Sequence, residues 1–454
     1  MKKVRKIIAL VLTISLLSSV FVGCSQDKPS DTTKTEGSST TDNHSQDLVN
    51  EKEISKEDFE GEISIALPSG DYIDFMKNEI VPYFQNEYPN VSVTLSDDQN
   101  VDTRIAAGDA PDIYAGVFGY QPAKYSKTGN LVNYEEFDDY NEVFDRISEN
   151  YVMRNFDGVY YVPWNATTQL MIYNKELFRE AGLDPENPPQ TFDEFLEAAK
   201  KIDELPNRED GSDVYGTIFW NDALAWGGWY WTMLSQIYYN MNDGRYQLFN
   251  EYGTDIVFDQ PDAHMVEFFD FIRSAQELAP PTMENNFFAR NVGMWLQFGY
   301  GWKANLKEAQ GEPMVIGEDV GVAPIPTPKE GDTHWSTLDG RALMIFKSNP
   351  EQEKIAWEFV KFLMRDEYNL AACKALGQLP TLKSLVNDPY FQRPEAKPFV
   401  DQLQNTLPNE PIAELDEVAN IIQQVYVETV IEQKISSEEA VNKAAEKARE
   451  VLTK

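Results

Sequence analysis

Residues 159–178, VYYVPWNATTQLMIYNKELF, constrain the fold more than any other stretch. An apolar and aromatic run is broken at Pro163. The small polar group Asn165, Ala166, Thr167 and Thr168 follows, and the pattern resumes as LMIYN. Pro163 cannot donate to a sheet ladder, so it suits a sheet edge or the point where a strand leaves a sheet. The pattern predicts a strand that leaves one lobe, crosses a hinge and enters a second. Trp164, Asn165 and Thr167 then sit in the crevice between lobes, where ligands commonly bind.

The N-terminus fixes the compartment. Lys2, Lys3, Arg5 and Lys6 precede a largely apolar run from Ile7 to Val22. As a helix that run is about 24 Å long, short of a bilayer core of roughly 30 Å. Residues 1–23 therefore read as a secretion signal rather than a spanning helix. The ending VFVGC resembles a bacterial lipobox, which implies that Cys24 is lipidated as the mature N-terminus. Phe21 stands where that pattern usually has Leu. The alternative is an uncleaved anchor helix, and both readings put the body outside the cytoplasmic membrane. Residues 24–58 hold no aromatic residue and are rich in Ser, Thr, Asp, Lys and Glu. They bury too little apolar surface to offset their ordering entropy and read as a flexible tether. With Cys24 lipidated, Cys373 in AACKALG has no partner and is expected to be a small core residue.

The formal charge is −36, and loss of the four signal cations makes the mature chain more negative still. That field argues against nucleic acid and anionic ligands as partners and says little about neutral ones. A body of about 390 residues is enough for two lobes with separate cores. GEISIALP alternates as a strand, IDFMKNEIVPYFQNEYP follows as an amphipathic helix, and VSVTL is the next strand. RIAAGDAPDIYAGVF supplies a short helix, a turn and a strand, and Asp112 after Pro111 is expected to cap local backbone amides. Strands alternating with helices predict a largely parallel sheet covered on both faces. Thr191 and Glu194 form a capping box, Asn349 and Pro350 open a helix as N-cap and N1, and Ser436 with Glu439 caps the last helix.

The order strand–helix–strand–AAGDAPDIYAG, then YNKELFREAGLDPENPPQTFDEFLEAAKKI, resembles the extracellular solute-binding proteins of ABC sugar transporters, family 1. FFARNVGMWLQFGYGW, VGVAPIPTPKEGDTHWSTLDGRALMIF and LGQLPTLKSL continue the resemblance over essentially the whole body from about residue 60. It implies an α/β, periplasmic-binding-protein-like fold of two α/β lobes joined by three hinge crossings. The crossings are read at Pro163–Thr168, at 323–332 and at 376–381. The N-terminal lobe is expected over 59–163 and 328–376, and the C-terminal lobe over 164–327 and 377–454. The implied function is capture of a neutral carbohydrate, an oligosaccharide by preference, and its delivery to ABC permease subunits. The protein is then held by lipidated Cys24 at the outer face of the bacterial cytoplasmic membrane, in the periplasm if the cell has an outer membrane.

Sugars present C–H patches to aromatic rings and hydroxyls to Asp, Asn, Gln and Arg. The candidates from the first lobe are Asp71, Phe118 and Tyr120, and from the hinge Trp164, Asn165 and Thr167. The second lobe offers Asp222, Trp226, Trp295 and Trp302, and the returning segment Trp335, Asp339, Arg341 and Gln378. Trp229, Trp231 and Trp357 lie inside helix-like patterns and are expected in the core. Trp164→Ala and Trp302→Ala are expected to weaken binding with little loss of stability. No catalytic residue, metal site or cofactor is implied: H-E-x-x-H, the P-loop, G-x-S-x-G and G-x-G-x-x-G are all absent from the sequence. A secreted glycoside hydrolase is the first alternative, because 75 acidic residues leave room for a carboxylate pair at a suitable separation. A sugar-sensing subunit for a membrane kinase is the second.

Overall fold

The computed structural model describes residues 55–68, 70–98, 100–154, 158–219, 228–281 and 287–453. The signal, Cys24 and nearly all of the tether therefore lie outside the described residues, as do Asp222 and Trp226. Among the described residues no helix is long and apolar enough to cross a membrane.

Two sheets organise the chain. The first runs β10-β4-β9-β3-β1-β2, with β11 added to β9; the second runs β6-β7-β5-β8. Their strands are β1 Gly61–Leu67, β2 Val91–Asp97, β3 Ile113–Val117, β4 Val162–Thr167, β5 Gln169–Asn174 and β6 Tyr215–Ile218. Then come β7 Val292–Gly299, β8 Val320–Ala323, β9 Ser336–Ile345, β10 Leu379–Pro380 and β11 Thr406–Pro408. Helices cover both sheets, giving two α/β lobes.

The expected hinge strand is present. β4 belongs to the first sheet and β5 to the second, with only Thr168 between them. Pro163 faces Ala342 of β9, and the register slips at Trp164 before resuming at Asn165 opposite Arg341. The slip leaves the Pro163 and Trp164 carbonyls outside the regular ladder. Thr381 Oγ1 donates to Pro163 O at 2.7 Å, and Asn369 Nδ2 donates to Trp164 O at 2.8 Å. β10 reaches only Asn165 and Ala166, so Pro163 sits where the sheet needs no further donor. The second passage runs from β8 through 324–335 into β9. Within the 376–381 stretch, Leu379–Pro380 form β10, an edge strand of the first sheet.

The sheets are mixed rather than largely parallel. β1, β2 and β3 run parallel, but β9 is antiparallel to both β3 and β4. The reason is directional: β4 leaves the first lobe towards the hinge, and β9 enters it from the hinge. Asp112 also departs from expectation. Its carboxylate accepts from the backbone N–H and the hydroxyl of Ser64, each at 2.7 Å, and so fastens the start of β3 to β1 instead of capping its own turn.

The local signals for helix starts hold. Thr191 and Glu194 exchange both capping-box bonds over the helix Phe192–Asp203. Asn349 caps Pro350–Leu363 with Pro at N1, and Ser436 caps Ser437–Leu452. Cys373, Trp231 and Trp357 are buried as expected, while Trp229 is outside the described side chains. One core fills the first lobe and reaches one face of the second sheet. The other lies beneath helices Gly228–Met241, Met265–Gln276, Leu415–Tyr426 and Ser437–Leu452.

β4 and β9 approach closely at Gly340. A Cβ there would lie 2.1 Å from Asn165 O and 2.9 Å from Ala166 Cα. Overpacking of this kind typically costs about 1–3 kcal/mol. Gly340→Ala is therefore expected to lower stability by about that amount in urea denaturation, with the loss localised by hydrogen exchange to the β4–β9 ladder.

Candidate functional site

The C-terminal ends of β1, β2 and β3, the slipped end of β4 and the start of β9 meet at one edge of the first sheet. Open α/β sheets bind ligands outside such carboxyl ends. The helix after β1, Asp71–Phe75, carries Tyr72 to this edge. Tyr72 meets Trp164 edge-on, with ring centroids 5.8 Å apart at 71°. On the other side the Arg341 guanidinium stands over the Tyr72 ring, Cζ 5.5 Å from its centroid. The pairing of β4 with β9 sets Asp339 opposite Thr167 and Arg341 opposite Asn165. Asp339 also accepts from the Gly340 N–H at 2.7 Å.

The electrostatics of this edge are coupled. Burial works against the Arg341 charge, but Tyr72 and Asp339 outweigh it and hold its pKa above the usual value. Burial pushes the Asp339 carboxyl up, and Arg341 pulls it partly back. Asp98, at the end of β2, is raised by burial and drawn down by the same arginine. Burial likewise raises the Tyr72 phenol. One cation thus serves two carboxylates and a phenol, and among the described residues no carboxylate comes within ion-pair reach of Arg341.

Two groups on β4 lack partners. Asn165 is fully buried, yet neither its amide nitrogen nor its amide oxygen makes a hydrogen bond within the protein. Trp164 Nε1 is in the same condition. An unpaired buried polar group costs about 1–3 kcal/mol, and these two lie on adjacent residues of β4.

A further wall comes from the C-terminal segment. The Asn409 carbonyl lies where a Cβ at Gly119 would be 2.2 Å away, and Gly119 has φ +77°, so only glycine fits there. Asn409 Nδ2 donates to Thr232 Oγ1 at 2.6 Å. Lys127 pairs with Glu414. Tyr120, just after Gly119, is buried in the second core rather than the first, and Asp339, Arg341 and Asp416 all act on its phenol.

Of the residues expected from the sequence, Trp164, Asn165, Thr167, Asp339 and Arg341 converge on this edge, with Tyr120 beside them. Asp71 is exposed at the helix start, one residue from Tyr72. Phe118 is fully buried against Tyr161, with ring centroids at 5.7 Å, and is a core residue. Trp295 is buried on the face of the second sheet, and Trp302 stacks flat on it at 5.1 Å and 11°. That places both in one aromatic cluster with Phe288 and Phe298. Trp335 packs against Gly244, and Gln378 donates to Leu376 O at 3.2 Å. Sequence reading passed over Tyr72 and Asp98. Both follow strands that run parallel to one another, so the strand-end rule would have found them.

A sequence model of the family described as bacterial extracellular solute-binding protein matches residues 69–370. Among characterised relatives, the diacetylchitobiose binding protein DasA of Streptomyces coelicolor is 24% identical over 302 residues, covering 63% of this chain and 64% of DasA. The sn-glycerol-3-phosphate-binding periplasmic protein UgpB of Brucella melitensis is 27% identical over 229 residues, 48% of each chain. The chain thus spans less than two thirds of the length of these relatives. Among solved structures, maltose-bound MalE3 of T. maritima superposes with a TM-score of 0.68 at 26% identity, covering 86% of this chain and 99% of that one. The cyclic alpha-maltosyl-1,6-maltose binding protein of Arthrobacter globiformis gives 0.69 at 21%, over 86% and 98%.

Proposed function

We propose, from the premise that this chain belongs to the bacterial extracellular solute-binding protein family, that it captures a carbohydrate between its lobes and delivers it to an ABC permease. The ligand is a neutral saccharide, an oligosaccharide by preference. Lipidated Cys24 holds the protein at the outer face of the cytoplasmic membrane, and the bound sugar leaves unchanged.

The observation that carries the reading is the edge built from Tyr72, Trp164, Asn165, Asp339 and Arg341. The Tyr72 ring there, backed by the buried Trp164, suits the C–H face of a sugar. The unpartnered amide of Asn165, the Arg341 donors and the Asp339 acceptor suit hydroxyls that both give and take hydrogen bonds. The names of DasA and MalE3 point the same way, while UgpB is named for a phosphoester. Against a phosphoester stand Asp98 and Asp339, two carboxylates around a single guanidinium.

Two passages of the chain between the sheets, at Thr168 and through 324–335, support delivery by closure. They permit a hinge rotation about Thr168 and the 324–335 segment while each lobe stays rigid. A ligand touching both lobes only when closed shifts the population by its differential affinity. A permease then distinguishes loaded from empty protein by shape.

The test is a thermal-shift and tryptophan-fluorescence screen of the mature protein against mono- and oligosaccharides and sn-glycerol 3-phosphate. A neutral saccharide is expected to raise the melting temperature. Arg341→Ala is expected to weaken that binding by about ten- to a hundredfold, the equivalent of charged hydrogen bonds worth about 1.5–3 kcal/mol, with circular dichroism unchanged. Turnover of the bound sugar sinks the binding-protein reading. A response to sn-glycerol 3-phosphate alone sinks the neutral-saccharide class.

A further inference from the structure

A second polar cluster lies away from the Tyr72–Arg341 edge, where the 3-10 helix Tyr300–Glu308 meets residues 390–395. Lys303 Nζ stands 3.3 Å from the centroid of the Tyr300 ring and 3.4 Å from the Tyr390 hydroxyl. The Arg393 guanidinium covers Tyr390 at 3.8 Å, and Lys374 approaches the same ring at 5.4 Å. Three cations thus surround one tyrosine in a chain of strongly negative net charge. The one carboxylate of the cluster, Glu395, is taken by Arg393 at 3.2 Å. Among the described residues none is in ion-pair reach of Lys303.

The rings account for part of this. A cation over an aromatic face gains about 0.5–2 kcal/mol. They do not account for the Tyr300 hydroxyl. Tyr300 is fully buried, and its hydroxyl makes no hydrogen bond of ordinary geometry, although Tyr390 and Arg393 stand near it as loose hydrogen-bonding neighbours. The cluster therefore holds a buried hydroxyl without a well-formed hydrogen bond, an amine without a counter-ion, and a second hydroxyl and a guanidinium around them.

We propose that Lys303, Arg393 and the hydroxyls of Tyr300 and Tyr390 bind a small free oxyanion of the phosphate or sulfate class. Such an anion accepts from the Tyr300 hydroxyl and supplies Lys303 with its missing counter-charge, and charge-assisted hydrogen bonds of this kind are the strong ones. Long-range repulsion from the acidic surface is screened beyond about 8 Å at physiological salt, so the local cations decide the outcome. The site is independent of the saccharide reading.

The pH dependence follows from the groups facing Lys303. Burial, and next to it Arg393, draws its pKa down to about 7; Lys307 adds to this and Glu395 opposes it. The thiol of Cys373 also faces the amine and is held protonated by burial. An anion raises the Lys303 pKa, so its binding takes up a proton and weakens as pH rises through 7.

The test is titration calorimetry of the mature protein with inorganic phosphate and with sulfate, against chloride at matched ionic strength. Binding is expected at pH 6 and at least fivefold weaker at pH 8.5. Lys303→Met is expected to abolish it, and Arg393→Gln, on the exposed side, to weaken it several-fold without disturbing the fold. Tyr300→Phe separates the hydroxyl from the ring and is expected to weaken binding while leaving thermal stability in anion-free buffer unchanged or higher. Equal heats with chloride, or undiminished phosphate binding in both Lys303→Met and Arg393→Gln, overturns the proposal.

Discussion

Trp164→Ala is expected to destabilise the protein by about 3–5 kcal/mol, the usual cost of removing a large buried aromatic side chain. The sequence alone suggested the opposite, a loss of binding with little loss of stability. The difference lies in where the side chain goes. Trp164 is completely buried, packed edge-on against Tyr72, at the register slip between β4 and β9. Its removal opens a cavity in the core of the first lobe and frees Tyr72, on which Arg341 rests. Denaturant unfolding is the measurement. Arg341→Ala is the control that separates the two effects, since it removes the proposed binding group while leaving Trp164 in place. A Trp164→Ala protein as stable as the parent would show that this ring is a ligand platform and not part of the core.

The second large effect is a pH dependence set by Glu410. This carboxyl is buried in the second lobe near Tyr238 and Tyr239. It accepts from the Phe249 N–H at 2.6 Å, and its other oxygen has no partner. Burial raises its pKa from 4.5 to about 8, against the pull of the backbone N–H groups. The folded protein therefore keeps this proton over a range where the unfolded chain has released it. Where the unfolded state binds fewer protons, stability falls as pH rises. The contribution is fully present below about pH 4.5 and is lost progressively up to about pH 8, a cost of about 3 kcal/mol by pH 7. Glu87 works in the opposite sense: Arg365 holds its pKa down to about 2, so its contribution is present above about pH 4.5 and is lost as pH falls towards 2. The readout is therefore the difference between parent and Glu410→Gln. The variant is expected to be more stable by about 3 kcal/mol at pH 7 and to gain further on the parent up to pH 8. Parallel stability curves for the two proteins from pH 5 to 8 would rule the carboxyl out as the source.

Glu410 also shows why part of the fold was invisible before the structure. PNEPIAEL is an ordinary acidic loop in the sequence. Only the fold lays Asn409 against Gly119 and turns Glu410 beneath helix Gly228–Met241. The same holds for Trp295 and Trp302. The sequence offers both as candidate ligand contacts; in the structure the helix after β7 folds back and the two rings stack on each other.

The sequence by itself determined the elements and their order. The hinge strand came from Pro163 and the polar run behind it, the helix starts from Thr191, Asn349 and Ser436, and the two-lobed architecture from the resemblance to the solute-binding proteins of ABC sugar transporters. The first two are local signals: capping bonds, fixed φ and period-two burial act within a few residues, so they are written where they act. The direction of β9, the slip at Trp164 and the meeting of Tyr72, Asn165, Asp339 and Arg341 were decided by tertiary structure. They depend on register between strands more than 170 residues apart, and a shift of one residue reverses every side chain across a sheet. The residues of the hinge were legible; which of them face outward, and which hold the lobe together, was not.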